Sequence, residues 1–304
     1  MEETASAGWN PKFPAGCINV QRKGRVDAMA IDILSAFTNN PPPIDEILPG
    51  FVSGTVGVLS GPGASSKSMW ALQAGVAIAG GPDLLHLGIK QKGIVHYIAA
   101  EDPEEIIVRR LHALGGRITS EYQRILAKML VISPLMGLRL DIMNANHVQQ
   151  IIDNTAGSRL VIIDTLNRVH ALEENSNGDM GQLTAQLEYI ARLTGAAVLH
   201  LHHVSKSAAR LGDDDQHSAR GASALSDNAR WAAGLRTMSE KEAEKRGVNV
   251  AQKNQYVRWG VLKCNYTVAP FGRWYERREG GILVPTDLPE TPPSQIKKGR
   301  REEA

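Results

Sequence analysis

The residues Gly61-Pro62-Gly63-Ala64-Ser65-Ser66-Lys67-Ser68 follow directly on the apolar run Thr55-Val-Gly-Val-Leu59 and lead into a stretch of helical composition, Met69 to Ala79. A glycine-rich turn that opens a helix aims backbone N–H groups at phosphate oxygens. A lysine in the place of Lys67 reaches β- and γ-phosphates, and a hydroxyl in the place of Ser68 joins a Mg²⁺ shell. These eight residues are the expected site for ATP with Mg²⁺. The pattern G-x-x-x-x-G-K-[ST] is met with one departure, because Ser66 stands where the second glycine is expected. A Cβ there restricts the backbone and crowds the phosphates. A plain Gly/Ser turn before an amphipathic helix is the bland alternative, but a strand before and a helix after are the context the motif requires.

Hydrolysis needs more than binding. Phosphoryl transfer is catalysed by positioning and charge neutralisation, so a Mg²⁺-associated acid, an acid that orients water and a group against the γ-phosphate should be present. Asp164 ends the run Leu160-Val-Ile-Ile163 and belongs at the carboxyl edge of a sheet, where α/β proteins bind ligands. It is the expected Mg²⁺ acid, with a turn cap through Thr165 as the alternative. Glu101 follows the strand Ile94 to Ala100, and Asp102-Pro103-Glu104-Glu105 reads as a helix N-cap with proline at the first helical position. Asp102 thereby has a structural role, which leaves Glu101 to polarise the attacking water; a solvated acid near a helix start is the competing reading. His200, His202 and His203 crowd the end of another strand. Zinc would need a fourth ligand at useful spacing, and none occurs. A histidine at the sheet edge can instead hydrogen-bond the γ-phosphate, and His203 or His202 is expected to do so unless the cluster is simply packed in the core.

The elements that must position these groups alternate. Strands are expected at 55–60, 93–99, 130–133, 159–163 and 196–202, and helices at 67–79, 103–114, 146–155 and 179–194, after a short helix at 28–37 that Pro41-Pro42-Pro43 stops. Runs such as Leu160-Val-Ile-Ile163 are continuously apolar, as strands covered on both faces must be. This is an α/β fold with a mostly parallel central sheet flanked by helices. Strands near 232–237, 256–264 and 274–284 are expected to add an antiparallel C-terminal extension, on which the aromatic residues between Trp231 and Tyr275 pack. The expected organisation is an N-terminal arm over 1–27, an ATPase body over 28–287 and a disordered basic tail over 288–304.

Composition narrows the function classes. A hydrophobic share of 42% with 22% charged residues in 304 residues excludes wholesale disorder and gives enough chain for a full core. The net charge of +2 provides no global basic footprint, so any nucleic-acid contact must be local. Cys17 and Cys264 are too far apart in sequence to suggest a disulfide framework or zinc site, and a cytoplasmic location follows. No apolar run approaches a bilayer span, so no membrane partner is expected.

Further pieces carry a family resemblance: Pro41-Pro-Pro-Ile-Asp-Glu-Ile-Leu-Pro49, Ala100-Glu-Asp-Pro103, Arg110-Leu-His-Ala-Leu-Gly115, Ile163-Asp-Thr-Leu166, Leu201-His-His203, Ala219-Arg-Gly-Ala-Ser223, Asp227-Asn-Ala-Arg-Trp231 and Arg273-Trp274. In this order, over about residues 30–285, the chain resembles the RecA-like ring ATPases and, more closely, the hexameric replicative DNA helicases of the RepA type carried by broad-host-range plasmids. The resemblance implies a homo-hexameric ring with ATP between subunits, 5′-to-3′ travel on single-stranded DNA, and plasmid or mobile-element replication proteins as partners. It implies that Lys67 and Ser68 bind phosphate and Mg²⁺, Glu101 activates water, Asp164 supports Mg²⁺, His203 senses the γ-phosphate and Arg230 is an arginine finger inserted into the neighbour's site. In such motors the loop after the sensor histidine faces the channel, which makes Lys206 and Arg210 candidate contacts to DNA phosphates. A RecA-like DNA-bound switch that hydrolyses ATP without unwinding is the alternative function.

Overall fold

A computed structural model of the chain describes residues 17–19, 29–204, 225, 228–266 and 272–289. The chain divides into two compact units, residues 1–44 and 45–304. In the first, β1 (Cys17–Asn19) pairs antiparallel with β2 (Met29–Ile31), and α1 (Ile33–Thr38) follows. The helix expected over 28–37 is thus a strand and a shorter helix. Asp32 marks the boundary: its carboxylate accepts from the Ser35 N–H at 3.1 Å and sets the helix start there.

The second unit opens with a small hairpin, β3 (Glu46–Leu48) and β4 (Phe51–Val52), and then enters the main sheet. In chain order its elements are β5 (Val56–Gly61), α2 (Lys67–Ile78), β6 (Val95–Ala99), α3 (Glu104–Gly115), α4 (Ser120–Met129), β7 (Leu130–Pro134), α5 (Ala145–Thr155), β8 (Leu160–Asp164), α6 (Asn177–Thr194) and β9 (Ala197–His203). After these come β10 (Trp231–Thr237), α7 (Glu240–Lys245), β11 (Tyr256–Cys264), β12 (Gly272–Arg277) and β13 (Leu283–Thr286). Among the described residues the sheet order is β13-β12-β11-β10-β5-β9-β8-β6-β7. The six strands from β10 to β7 are parallel, and β11, β12 and β13 extend them antiparallel.

Three expectations are corrected here. The strand at 231–237 pairs parallel with β5, so the antiparallel extension begins one strand later. The segment 274–284 is two strands divided by a turn at Glu279–Gly281, where Gly280 and Gly281 hold φ of 72° and 76°. Residues 120–129 form a helix absent from the expected order of elements; its apolar residues are few, and only Leu126 is buried.

The core lies in two layers, as a sheet covered on both faces requires. One cluster holds α2 and α3 against one face and includes Trp70, Leu72, Ile107, Leu199 and Leu201. The other holds α5 and α6 against the opposite face and includes Val148, Ile152, Leu183, Leu187 and Val198. The antiparallel extension fixes α2. Trp70 stacks on Trp259 with ring centroids 5.0 Å apart, an arrangement that contributes about 0.5–1.5 kcal/mol beyond burial. The buried Gln73 side chain donates to the Leu283 carbonyl at 2.9 Å and accepts from the Leu283 N–H at 2.8 Å, as a neighbouring strand would. The helix that begins at Lys67 is therefore held from both the parallel and the antiparallel part of the sheet. No helix among the described residues is long and apolar enough to cross a membrane.

Candidate active site

Register collects the expected site residues at one edge. Gly61 pairs with His203, Ile163 with His200, and Ala99 with Asp164, so the carboxyl ends of β5, β9, β8 and β6 lie side by side. At the end of β5, Gly61 passes so close to β10 that a Cβ would come within 2.3 Å of the Leu235 carbonyl oxygen. Only glycine fits. The loop then turns into α2, whose N-cap residue Ser66 makes no side-chain cap and whose first turn carries no acid. A helix start without a capping side chain leaves N–H donors and positive dipole for an anion.

Lys67 is 5% exposed, and its ammonium donates to the carbonyls of Gly61 at 2.8 Å and Pro62 at 3.0 Å and meets His203 Nδ1 at 3.2 Å. Burial pushes its pKa down to about 8, against the pull of the Asp164 and Glu101 carboxylates. The opposite nitrogen of the same imidazole, His203 Nε2, lies 3.2 Å from Glu101 Oε2. With Lys67 donating to Nδ1, the neutral Nε2–H tautomer donates to Glu101, and one chain of hydrogen bonds runs from phosphate-loop lysine to carboxylate.

Asp164 is buried, and desolvation raises its pKa above the usual carboxylate range, while hydrogen bonds from Tyr97 and Ser68 pull the other way. The Tyr97 hydroxyl donates to Asp164 Oδ2 at 2.5 Å and lies 3.3 Å from the Ser68 carbonyl oxygen. The Asp164–Thr165 peptide is cis, and the Thr165 hydroxyl donates to the Leu201 carbonyl at 2.8 Å. A buried anion beside a serine hydroxyl and a lysine, at a helix start without a cap, is a donor set that fits Mg²⁺ and a polyphosphate.

The structure therefore brings Lys67, Ser68, Glu101, Asp164 and His203 together and separates them from the other candidates. His202 and His200 point to the opposite face from His203; both are buried, and burial lowers both pKa values, that of His200 to about 3. His203 is the histidine at the edge. Asp102 does not cap α3: Pro103 occupies the N-cap, and Asp102 pairs with Arg110 at 2.6 Å. Arg230 is exposed immediately before β10, level with the start of β5, because Trp231 pairs with Gly57. It lies about 15 Å along the strand direction from the loop of its own protomer, at ~3.3 Å per residue. Lys206 and Arg210 lie outside the described residues.

Two residues of the site go beyond the sequence expectations. Tyr97 sits in an apolar strand, and a buried tyrosine hydroxyl must find a partner, so a signal existed. Arg277 offers none: from β12 its guanidinium donates to Ser66 Oγ at 2.8 Å and to the Ala64 carbonyl at 2.6 Å, across a sequence separation of 211 residues in the first case.

The family described as "AAA domain" matches residues 24–209. Among solved structures, one described as an ATPase domain superposes with a TM-score of 0.54 at 15% identity, covering 79% of this chain and 88% of that one. A DnaB-like replicative helicase, from a structure describing its interactions with primase, superposes with a TM-score of 0.55 at 16% identity over 83% of this chain; the match spans 64% of that helicase. The fold is that of the RecA-like P-loop NTPases, with a mostly parallel sheet and antiparallel C-terminal strands.

Proposed function

The chain belongs to the AAA domain family, and from that premise we propose that it is an ATP-dependent DNA helicase. In this reading it forms a ring, hydrolyses ATP between subunits and travels 5′-to-3′ on single-stranded DNA in the replication of a plasmid or other mobile element. The observation that carries the reading is the continuous contact chain Lys67–His203–Glu101 beside the buried Asp164, with 3.2 Å at each imidazole nitrogen. A nucleotide-binding module needs the lysine alone; a water-orienting acid linked to it through a histidine is equipment for hydrolysis.

Each residue has a separate task. Lys67 exchanges its carbonyl partners for phosphate oxygens, and the N–H groups at the start of α2 hold the remaining oxygens. Ser68 and Asp164 would hold Mg²⁺, which would supply positive charge against the polyphosphate. Glu101 accepts a hydrogen bond from the attacking water and draws off its proton. His203, freed from Lys67, turns its ring toward the γ-phosphate, and its neighbour Val204, two residues before Lys206 in sequence, donates to the Gly61 carbonyl at 3.2 Å. That link lets the nucleotide state act on residues assigned to DNA. Arg230, too far from its own site, completes the site of the next subunit in trans.

Mixing two inactive proteins tests the shared site. Lys67→Ala and Arg230→Ala should each lack ATP hydrolysis, and Arg230→Ala should still bind nucleotide. Mixed rings contain interfaces with an intact Lys67 facing an intact Arg230, so mixing should restore a fraction of the turnover. Full hydrolysis by Arg230→Ala alone would remove the finger from the mechanism.

A further inference from the structure

The serine at position 66 stands in a backbone conformation that favours glycine, with φ 70° and ψ 25°, and Ala64 two residues earlier holds φ 61°. Left-handed geometry at a residue bearing a Cβ is unfavourable and persists only where surroundings over-determine it. Both residues are gripped by one side chain. The Arg277 guanidinium donates from Nε to Ser66 Oγ at 2.8 Å and from one terminal nitrogen to the Ala64 carbonyl at 2.6 Å. Its other terminal nitrogen donates to the Asn254 carbonyl at 2.6 Å, which anchors the fork on the short 3-10 helix Val250–Gln255 just before β11. Arg277 itself is fixed at the end of β12, opposite Leu283 of β13, the residue that also binds Gln73 of α2.

We propose that Arg277 is a positioning residue that holds the phosphate loop in its left-handed, phosphate-ready shape, doing through Ser66 Oγ and the Ala64 carbonyl what a glycine at position 66 would do by lacking a side chain. The inference rests on the ATP-binding role of this loop. The two features belong together: a serine at position 66 supplies the hydroxyl that the guanidinium needs, and the guanidinium holds the conformation that the serine resists. Planarity matters, because two nitrogens of one rigid fork reach two loop atoms, which a lysine ammonium cannot reproduce.

The test is a cycle of four proteins, wild type, Arg277→Ala, Ser66→Gly and the double variant, each assayed for equilibrium binding of a fluorescent ATP analogue, for kcat and KM of ATP hydrolysis, and for melting temperature. Arg277→Ala should weaken ATP binding and raise KM by about tenfold, the scale of one charge-assisted hydrogen bond, with kcat at saturating ATP changed much less. In the Ser66→Gly background the same change should cost about threefold or less, since only the Ala64 contact is lost. Ser66→Ala, which keeps the Cβ and loses the hydroxyl, should bind ATP more weakly than Ser66→Gly; this comparison leaves Arg277 untouched and stands even if Arg277→Ala fails to fold. Arg277→Lys should fall between wild type and Arg277→Ala. Equal losses on removing Arg277 in the serine and glycine backgrounds would overturn the proposal, because Arg277 would then act independently of Ser66. Wild-type ATP binding by Lys67→Ala would instead overturn the parent assignment of the loop, so the two failures are told apart.

Discussion

Replacing Tyr97 by Phe removes one hydroxyl and leaves the ring that packs in the sheet. That hydroxyl donates to Asp164 Oδ2 at 2.5 Å, between two side chains that are each 4% exposed, so bulk water reaches the vacated position poorly. The bond stabilises the carboxylate, whose pKa burial already holds high, and its loss should push that pKa higher still. Asp164 must be ionised to hold Mg²⁺, so the acid limb of kcat/KM should move upward with it. A hydrogen bond to a charged group contributes about 1.5–3 kcal/mol, and about 1.4 kcal/mol corresponds to one pH unit, so the limb should move by roughly one to two pH units. Below the shifted limb the variant should be slow and need more Mg²⁺ for half-maximal rate; above it the variant should recover. A coupled ATP hydrolysis assay across pH, repeated over a Mg²⁺ titration, reads both effects. Coincident acid limbs and an unchanged Mg²⁺ requirement would refute the reasoning, because Tyr97 would then be a packing residue only.

Two further outcomes follow from the same electrostatics. The Lys67 pKa is lowered to about 8 in the free protein, and bound phosphate favours the ammonium, so ATP binding takes up a proton above that pH: affinity should fall by up to about tenfold per pH unit from pH 8 upward. Calorimetry over about pH 7 to 9.5 measures it, and a flat profile would contradict the assignment. Asp164 has a folded pKa raised above its ordinary value, so the ionised group lowers stability at pH values above that folded pKa, and the penalty disappears as pH falls toward the unfolded value. Asp164→Asn should accordingly raise the melting temperature at neutral pH, by roughly 2–4 °C per kcal/mol relieved, while hydrolysis is lost; a lower melting temperature would show that the carboxylate is a net stabiliser.

Much of the site was legible because strand ends mark it. The runs ending at Gly61, Ala99, Asp164 and His203 are largely apolar, and a parallel sheet places all such ends at one edge, so Lys67, Glu101, Asp164 and His203 could be gathered without coordinates. Choosing among the histidines required only the two-residue alternation of a strand, which puts His200 and His202 on one face and His203 on the other. Strand direction at Trp231–Thr237 was not legible, since Trp-Ala-Ala-Gly-Leu reads alike in either orientation and only pairing with β5 decides it. The partners of Ser66 were hidden for a different reason. Arg277 meets it through tertiary contact between a C-terminal strand and the loop, and neither residue's local sequence announces the other.

Strand displacement tests the central claim most directly. A forked DNA with a 5′ single-stranded tail is incubated with the full chain, ATP and Mg²⁺, alongside Lys67→Ala. The account predicts that single-stranded DNA stimulates hydrolysis, that the wild type releases the displaced strand in an ATP-dependent way, and that Lys67→Ala does not. Hydrolysis stimulated by single-stranded DNA with the fork left intact would contradict it and identify a DNA-bound switch; absence of both stimulation and unwinding would remove DNA from the function altogether.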